Sequence, residues 1–222
     1  MRAICAVAVA MLVALDVSSA DAQSTRGFKD SWFWGVKAGG TFYQVQSDAD
    51  GSLSPLGGVD WLITRTNGGL YASFDHTFFQ DQSVFINDSV GPVDTIPRRV
   101  FLSGMRRFTL AGMLFPYQRK YLQTYFGFGA MLNQIDKAEP EGTFRNPTQE
   151  RLVNATVREF RTSLTPVVIV GAQLRLLYFS GFVQGTSTRA TRNFFLFNGN
   201  NWRSTVEAGL RYNIGSSIDP MR

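Results

Sequence analysis

The sequence predicts an all-β protein, a transmembrane eight-stranded antiparallel up-and-down β-barrel, and two observations carry that prediction. Residues 23–222 divide into about eight stretches in which apolar and polar side chains alternate, the period-two pattern of strands whose two faces meet different environments. The joins between stretches are by turns short, at 65–69, 116–120 and 178–181, and long, at 44–55, 80–99, 133–163 and 189–202. Tight turns at one membrane face and large loops at the other are the wiring of a spanning barrel.

The N-terminus predicts the compartment. Arg2 precedes an apolar run over 3–15, and Ala20-Asp21-Ala22 supplies a small-x-small cleavage pattern, so 1–22 reads as a secretory signal peptide cut before Gln23. The run is shorter than the roughly 20 residues of a spanning helix. The lone Cys5 lies within this leader, so the expected mature chain has no thiol, disulfide or cysteine-based metal site, and no metal or cofactor is expected. Residues 23–222 are expected to form one outer-membrane barrel domain.

Each stretch assigns its faces by alternation. In strand one, over 32–43, Trp32, Trp34, Val36, Ala38 and Phe42 share one face, opposite Lys37, Gly39 and Thr41. Strand two, over 57–64, sends Val59, Trp61 and Ile63 outward and Asp60 and Thr64 inward. Strand three, over 70–79, opposes Leu70, Ala72, Phe74 and Phe78 to Tyr71, Ser73, Asp75 and Thr77. Strand four places Phe108, Leu110 and Leu114 outward and Arg107 and Thr109 inward, but its lipid face includes Arg106, which therefore belongs near the outer rim or beside a bulge.

Strand five, over 121–133, opposes Phe126, Phe128 and Leu132 to Gln123, Tyr125 and Asn133. Strand six, over 166–178, sends Val168, Val170 and Leu174 outward and Gln173 and Arg175 inward. Strand seven, over 182–188, is nearly all small or polar and is assigned because closure calls for an even strand count. Strand eight, over 204–214, is the clearest, opposing Val206, Leu210, Tyr212 and Ile214 to Glu207, Gly209, Arg211 and Asn213.

The polarity of these faces excludes a lipocalin-like soluble barrel, which carries its apolar side chains inside. Here Lys37, Asp60, Asp75, Arg107, Arg175, Glu207 and Arg211 point inward, four basic against three acidic. Near-balanced charge in a lumen that side chains can fill reads as a structural ion-pair and hydrogen-bond network rather than a one-sign filter. Trp32, Trp34, Tyr117, Tyr121, Tyr178 and Tyr212 gather near the turn side as an aromatic girdle. Closure of strand eight on strand one is expected to bring Glu207 to Lys37 and leaves Arg211 needing Asp60 or Asp75.

The third long connection carries helix signals. Asn146 fits an N-cap, Pro147 the first helical position and Gln149 a capping box, with Val153, Val157 and Phe160 at helical spacing, which predicts a short helix over Pro147–Phe160. Asn154-Ala155-Thr156 fits a glycosylation acceptor too short to weigh much, and Asp48-Ala49-Asp50-Gly51 lacks the later ligands of a calcium loop.

Removing Arg2, Asp16 and Asp21 with the leader makes the formal +5 of the full chain one unit more positive. The long connections hold acidic and basic residues in near balance. The surplus therefore sits in the barrel and on the turn side, as at Arg65, Arg119 and Lys120, which gives nucleic-acid or lipopolysaccharide-phosphate binding little support.

With these elements placed, the chain resembles the OmpA/OmpX-like outer-membrane β-barrel proteins of Gram-negative bacteria. The resemblance spans the mature chain and rests on Tyr125-Phe126-Gly127-Phe128-Gly129-Ala130-Met131 in strand five and Glu207-Ala208-Gly209-Leu210-Arg211-Tyr212-Asn213-Ile214-Gly215 at the end. The family's terminal strand often finishes on an aromatic residue read by the barrel-assembly machinery, where this chain has Ile214-Gly215. The resemblance implies location in the cell outer membrane and lipid contact. It also implies a role among structural anchors, adhesins, small-solute conduits and a few lipid-modifying enzymes.

An enzyme of that last kind would need His76, the only histidine. It lies on the lipid face between Phe74 and Phe78, with no Ser two residues away and with Asp75 pointing inward, so no Ser-His-carboxylate relay is evident along the strand, and a Ser from a neighbouring strand is the alternative left open. His76 reads as an interfacial polar residue, and no catalytic residues are assigned. The sequence thus points to a non-enzymatic, monomeric outer-membrane barrel, structural or surface-interacting, with a plugged polar lumen. A porin-like conduit for small or apolar solutes is the alternative, and a lipid-modifying barrel enzyme the less favoured one. The loops holding Asp48, Asp94, Glu141 and Asn198 are expected outside, and the turns holding Asn67, Gln118 and Ser180 in the periplasm.

Overall fold

The computed structural model describes residues 28–43, 52–85, 98–144, 146–176, 178–189 and 202–216. The expected leader and its cleavage point, the Asp48-Ala49-Asp50-Gly51 turn, and the loop positions Asp94 and Asn198 lie outside them.

The described chain forms β1 (Ser31–Tyr43), β2 (Ser52–Thr64), β3 (Gly68–Phe85), β4 (Arg98–Gln118), β5 (Leu122–Pro140), α1 (Pro147–Phe160), β6 (Thr162–Leu176), β7 (Phe179–Arg189) and β8 (Trp202–Ser216). Every strand pairs antiparallel with the next, and β8 pairs with β1 to close the barrel. Closure matters energetically, because it pairs the edges that hydrocarbon could not hydrate.

Alternation sorts the faces as the sequence reading placed them. On β1, Trp34 and Val36 are 51% and 62% exposed, whereas Lys37 between Val36 and Ala38 is 6% exposed. β7 obeys the same rule, with Gln184, Thr186 and Thr188 buried inside and Phe179 and Val183 outside. An exterior of Trp, Phe, Leu and Val around an interior of Lys, Arg, Asp and Glu is a surface for lipid, not water.

The strands run farther on the loop side than the sequence suggested. β3 continues to Phe85, β4 begins at Arg98 and β5 reaches Pro140, with pairs out to Val100↔Pro140. Beyond the bilayer the outer face no longer has to be apolar, so Gln80, Gln82, Lys137 and Glu139 erase the alternation while the backbone ladder persists. Much of the third long connection is therefore sheet and helix.

β4 contains the irregularity that Arg106 foreshadowed. The β3–β4 register shifts between Thr77 and Gln80, so Phe78 and Phe79 stand against Gly104 alone. Gly104 has φ +63°, a left-handed conformation that glycine adopts without a Cβ penalty.

α1 forms where its caps predicted. Asn146 accepts a 2.8 Å hydrogen bond from the Gln149 amide, and Pro147 opens the first turn. Gln149, Val153 and Val157, four residues apart, form its buried stripe. Val153 and Val157 pack into an apolar cluster with the inward side chains of Tyr43, Phe79, Val100, Leu102, Met105 and Ile135 at the loop end. A second cluster, including Phe33, Leu62, Tyr71, Met113, Tyr125 and Ile169, fills the turn half.

Candidate functional site

Two groups of chemistry-bearing side chains stand out, one inside the barrel and one on its outer wall. The inner group forms because inward positions of β1, β2, β3, β4, β7 and β8 meet at mid-height. Lys37 Nζ lies 2.7 Å from Glu207 Oε2 and 2.9 Å from Asp75 Oδ1. Arg107 Nη2 lies 2.7 Å from Glu207 Oε1 and 3.2 Å from Asp75 Oδ2. Two cations and two carboxylates thus alternate in a ring, all four side chains about 1% exposed.

A second pair lies nearer the turn end. Arg211 grips Asp60 through Nη2 at 2.7 Å and Nε at 3.1 Å, donates to Gln173 Oε1 at 2.8 Å, and stacks its guanidinium 3.8 Å from the Phe182 ring centroid. Gln184 joins the two sets. Its Nε2 donates to Glu207 and to the Tyr71 hydroxyl, while its Oε1 accepts from Arg211. Three cations and three carboxylates are therefore compensated within hydrogen-bonding distance, which is what makes so dry an arrangement tolerable.

Of the seven lumen residues named from sequence, Lys37, Asp60, Asp75, Arg107, Glu207 and Arg211 meet in this network. Arg175 is inward but partly exposed near the turn end of β6, level with Ser180. Sequence reasoning missed Arg203, which is 4% exposed and donates to Asn133 Oδ1 at 2.6 Å. It falls just before the predicted start of strand eight, and continuing that strand's inward parity from Arg211, Gly209, Glu207 and Thr205 would have found it.

Backbone spacing makes room for the network. A Cβ at Gly35 would stand 2.1 Å from Asp60 Oδ1, and one at Gly58 would stand 2.2 Å from Asp75 Oδ1. Inward glycines are thus the complement of the large inward charges.

The girdle residues Trp32, Trp34, Tyr117, Tyr121, Tyr178 and Tyr212 are all exposed on the outer wall at the turn end. Trp61 packs between the two tryptophans, edge-on to Trp32 at 5.7 Å and stacked on Trp34 at 5.9 Å. Arg119 and Lys120 sit over the rings of Tyr117 and Tyr121, so the turn-side belt ends in cations.

The outer group marks the opposite interface. The register row Phe74↔Phe108↔Leu132 is apolar, and the row two residues farther toward the loops is His76↔Arg106↔Gln134. From Tyr117 to Arg106 along β4, at ~3.3 Å per residue and a tilt of ~40°, the height is ~28 Å, close to the ~25 Å apolar band of such barrels. There Asp136 of β5 accepts from both neighbours, with Oδ2 2.7 Å from His76 Nε2 and Oδ1 2.8 Å from Arg106 Nε. His76 is thus an interfacial polar residue with a carboxylate partner that lies two strands away rather than along its own strand. Gly104 makes the contact possible, since a Cβ there would meet Asp136 Oδ2 at 2.9 Å and His76 Nε2 at 3.3 Å.

No protein-family model matches the chain, and no curated protein matches it. Solved structures do share its shape. Neisserial surface protein A superposes with a TM-score of 0.52 at 9% identity, over 82% of this chain and 97% of that one. Ail, the attachment invasion locus protein of Yersinia pestis, gives 0.43 at 8% identity, over 83% and 98%. The likeness to the Neisserial protein is one of fold.

Proposed function

We propose that the chain is a non-enzymatic barrel of the outer membrane that acts as a structural or surface-interaction protein and whose lumen is closed to solutes. The observation that supports a closed lumen is the succession of buried side chains along it. The charge ring and the Arg211–Asp60 pair are buried, with an apolar cluster on the turn side and another under Val153 and Val157 of α1 on the loop side. An eight-stranded interior is just wide enough for side chains to fill.

The surface-interaction part is supported by the sheet and helix that rise above the lipid band, which give a small barrel a built extracellular face. Neisserial surface protein A, with the same fold, is by name a surface protein. Outer-leaflet lipid and the barrel-assembly machinery are the partners this reading requires, and it treats the barrel as a monomer.

Planar-bilayer recording on the refolded protein tests the reading. No conductance steps are expected from protein that shows heat-modifiable migration. Stable single-channel steps would replace the closed scaffold with a conduit.

A further inference from the structure

We infer that the turn-side rim of the barrel is a docking surface for anionic phospholipid headgroups, centred on Arg119 and Lys120 of the β4–β5 turn and flanked by Arg65 of the β2–β3 turn. It lies at the end opposite the loops, so the inference goes beyond the closed-lumen reading and does not depend on whether the lumen conducts.

Three observations carry it. The first is where the two central cations lie. The Arg119 amide donates to the Leu122 carbonyl at 2.8 Å, which closes the turn on Lys120 and Tyr121. Each cation is laid over a ring of the lipid-facing girdle, the Arg119 guanidinium 5.6 Å from the centroid of Tyr117 and Lys120 Nζ 5.2 Å from that of Tyr121. Those rings are 45% and 59% exposed on the outer wall. Tyrosine rings of such a belt mark headgroup level, so the cations stand beside the bilayer interface rather than over the mouth of the lumen.

The second is continuity along the rim. The Phe115 amide of β4 donates to the Asn67 carbonyl at 3.1 Å, which seats the β2–β3 turn against the strand that leads to Arg119. Arg65 of that turn has a side chain 51% exposed and reaches Asp30 only at 4.0 Å. An ion pair so long and so open leaves most of the guanidinium's field to the solvent and the headgroups.

The third is sign. At the turn end, beyond the buried network, the described residues carry Lys29, Arg65, Arg119, Lys120 and Arg175, with Asp30 the one carboxylate among them. The loop end mixes both signs, with Glu139, Glu150 and Glu159 set among Lys137, Arg151 and Arg158. Cations gathered at headgroup depth attract lipid of net negative charge and give zwitterionic lipid no such advantage. Short turns face the periplasm in barrels of this kind, so the leaflet in contact with this rim is the inner, phospholipid one.

The test is native mass spectrometry of the full mature protein, folded in uncharged polyoxyethylene ether micelles and supplied with equal amounts of phosphatidylglycerol and phosphatidylcholine. At low salt phosphatidylglycerol is expected to be retained about fivefold over phosphatidylcholine, the worth of roughly one engaged cation, and the ratio should shrink as salt is raised. The double variant Arg119→Gln/Lys120→Gln should lower the ratio below about twofold. Arg151→Gln/Arg158→Gln removes the same charge from α1 at the other end and should leave the ratio as in wild type. Heat-modifiable migration checks that both variants are folded. Equal retention of the two lipids by the wild type, or a ratio that survives the turn variant, overturns the inference. A ratio that falls equally in both variants overturns it by tracing the preference to net charge alone. Sedimentation of the wild type with peptidoglycan sacculi, lost in the turn variant, overturns it in favour of the wall polymer.

Discussion

Glu207 on β8 lies 2.7 Å from Lys37 on β1, across the seam that closes the barrel. The backbone ladder of that seam runs from Ser31↔Ser216 to Phe42↔Ser204, so the ion pair sits inside the last pairing a closing barrel makes. Glu207 also serves Arg107 at 2.7 Å and Gln184 at 2.7 Å, which ties β4 and β7 to the same carboxylate. One side chain thus connects both neighbours of β8 with the far wall.

Replacing Glu207 by Gln is therefore expected to leave Lys37 and Arg107 sharing Asp75 alone, at a cost of ~3–5 kcal/mol when one partner of a buried pair is removed. Adding Lys37→Met should recover part of that loss, because it withdraws the uncompensated cation. Urea unfolding from lipid vesicles measures both. Equal midpoints for wild type and Glu207→Gln, with no coupling in the double mutant, would show the lumen to be wet and the ring energetically idle.

A second expectation concerns the space around the lower pair. Gly35→Ala puts a methyl 2.1 Å from Asp60 Oδ1 and 2.8 Å from Arg211 Cγ, both fully inside the wall. The pair must shift or the strand must bend, and overpacking of this kind costs ~1–3 kcal/mol. Gly57→Ala is the control, since its Cβ meets no atom closer than 4.0 Å. Comparable losses at the two positions in the same unfolding assay would trace the effect to strand propensity rather than to the Asp60–Arg211 contact.

These two positions also show how far the sequence could be read. Inward parity placed Lys37, Glu207 and Arg211 on the right face, and closure alone brought Lys37 to Glu207, because alternation and antiparallel pairing are local rules. The partner of Arg211 stayed open between Asp60 and Asp75, since choosing between them needs the stagger of strands across the lumen, and Asp75 is in fact engaged by Lys37 and Arg107. Asp136 escaped notice as the partner of His76 for a related reason. It lies two strands away, beyond the length at which β5 alternates in hydropathy, and it reaches His76 over a bulge centred on Gly104. α1 was legible to the residue, because Asn146-Pro147 and the Val153, Val157 spacing are all local signals.

Topology gives a third expectation. The connections around Arg65–Gly68 and Arg119–Leu122 close within one backbone hydrogen bond each, whereas β4, β5 and α1 build upward on the other side. Single cysteines at Glu141 and Asn67, in a mature chain expected to lack any other, should differ in intact cells. An impermeant maleimide is expected to label position 141 and spare position 67, and the opposite pattern would invert the barrel.

The last expectation concerns α1 as the cover of the loop-end cluster. Val153 and Val157 are 1% and 2% exposed and pack against Leu102, Met105 and Ile135, so a charge at either site must leave or drag the helix from its seat. Val157→Asp removes an apolar contact and buries an unpaired carboxylate, and the exposed alternative is the less costly one. The helix is then held by its Asn146 cap and its covalent ends, a short segment that is marginal alone. The backbone pairings of the barrel wall below are untouched in kind, because no strand residue within the lipid band is altered. Val157→Asp should therefore keep heat-modifiable migration while limited proteolysis cuts within 147–160 much faster than in wild type. If the helix resists protease as before, its packing is set by its hydrogen-bonded ends, and the apolar seat is not what holds the cover down.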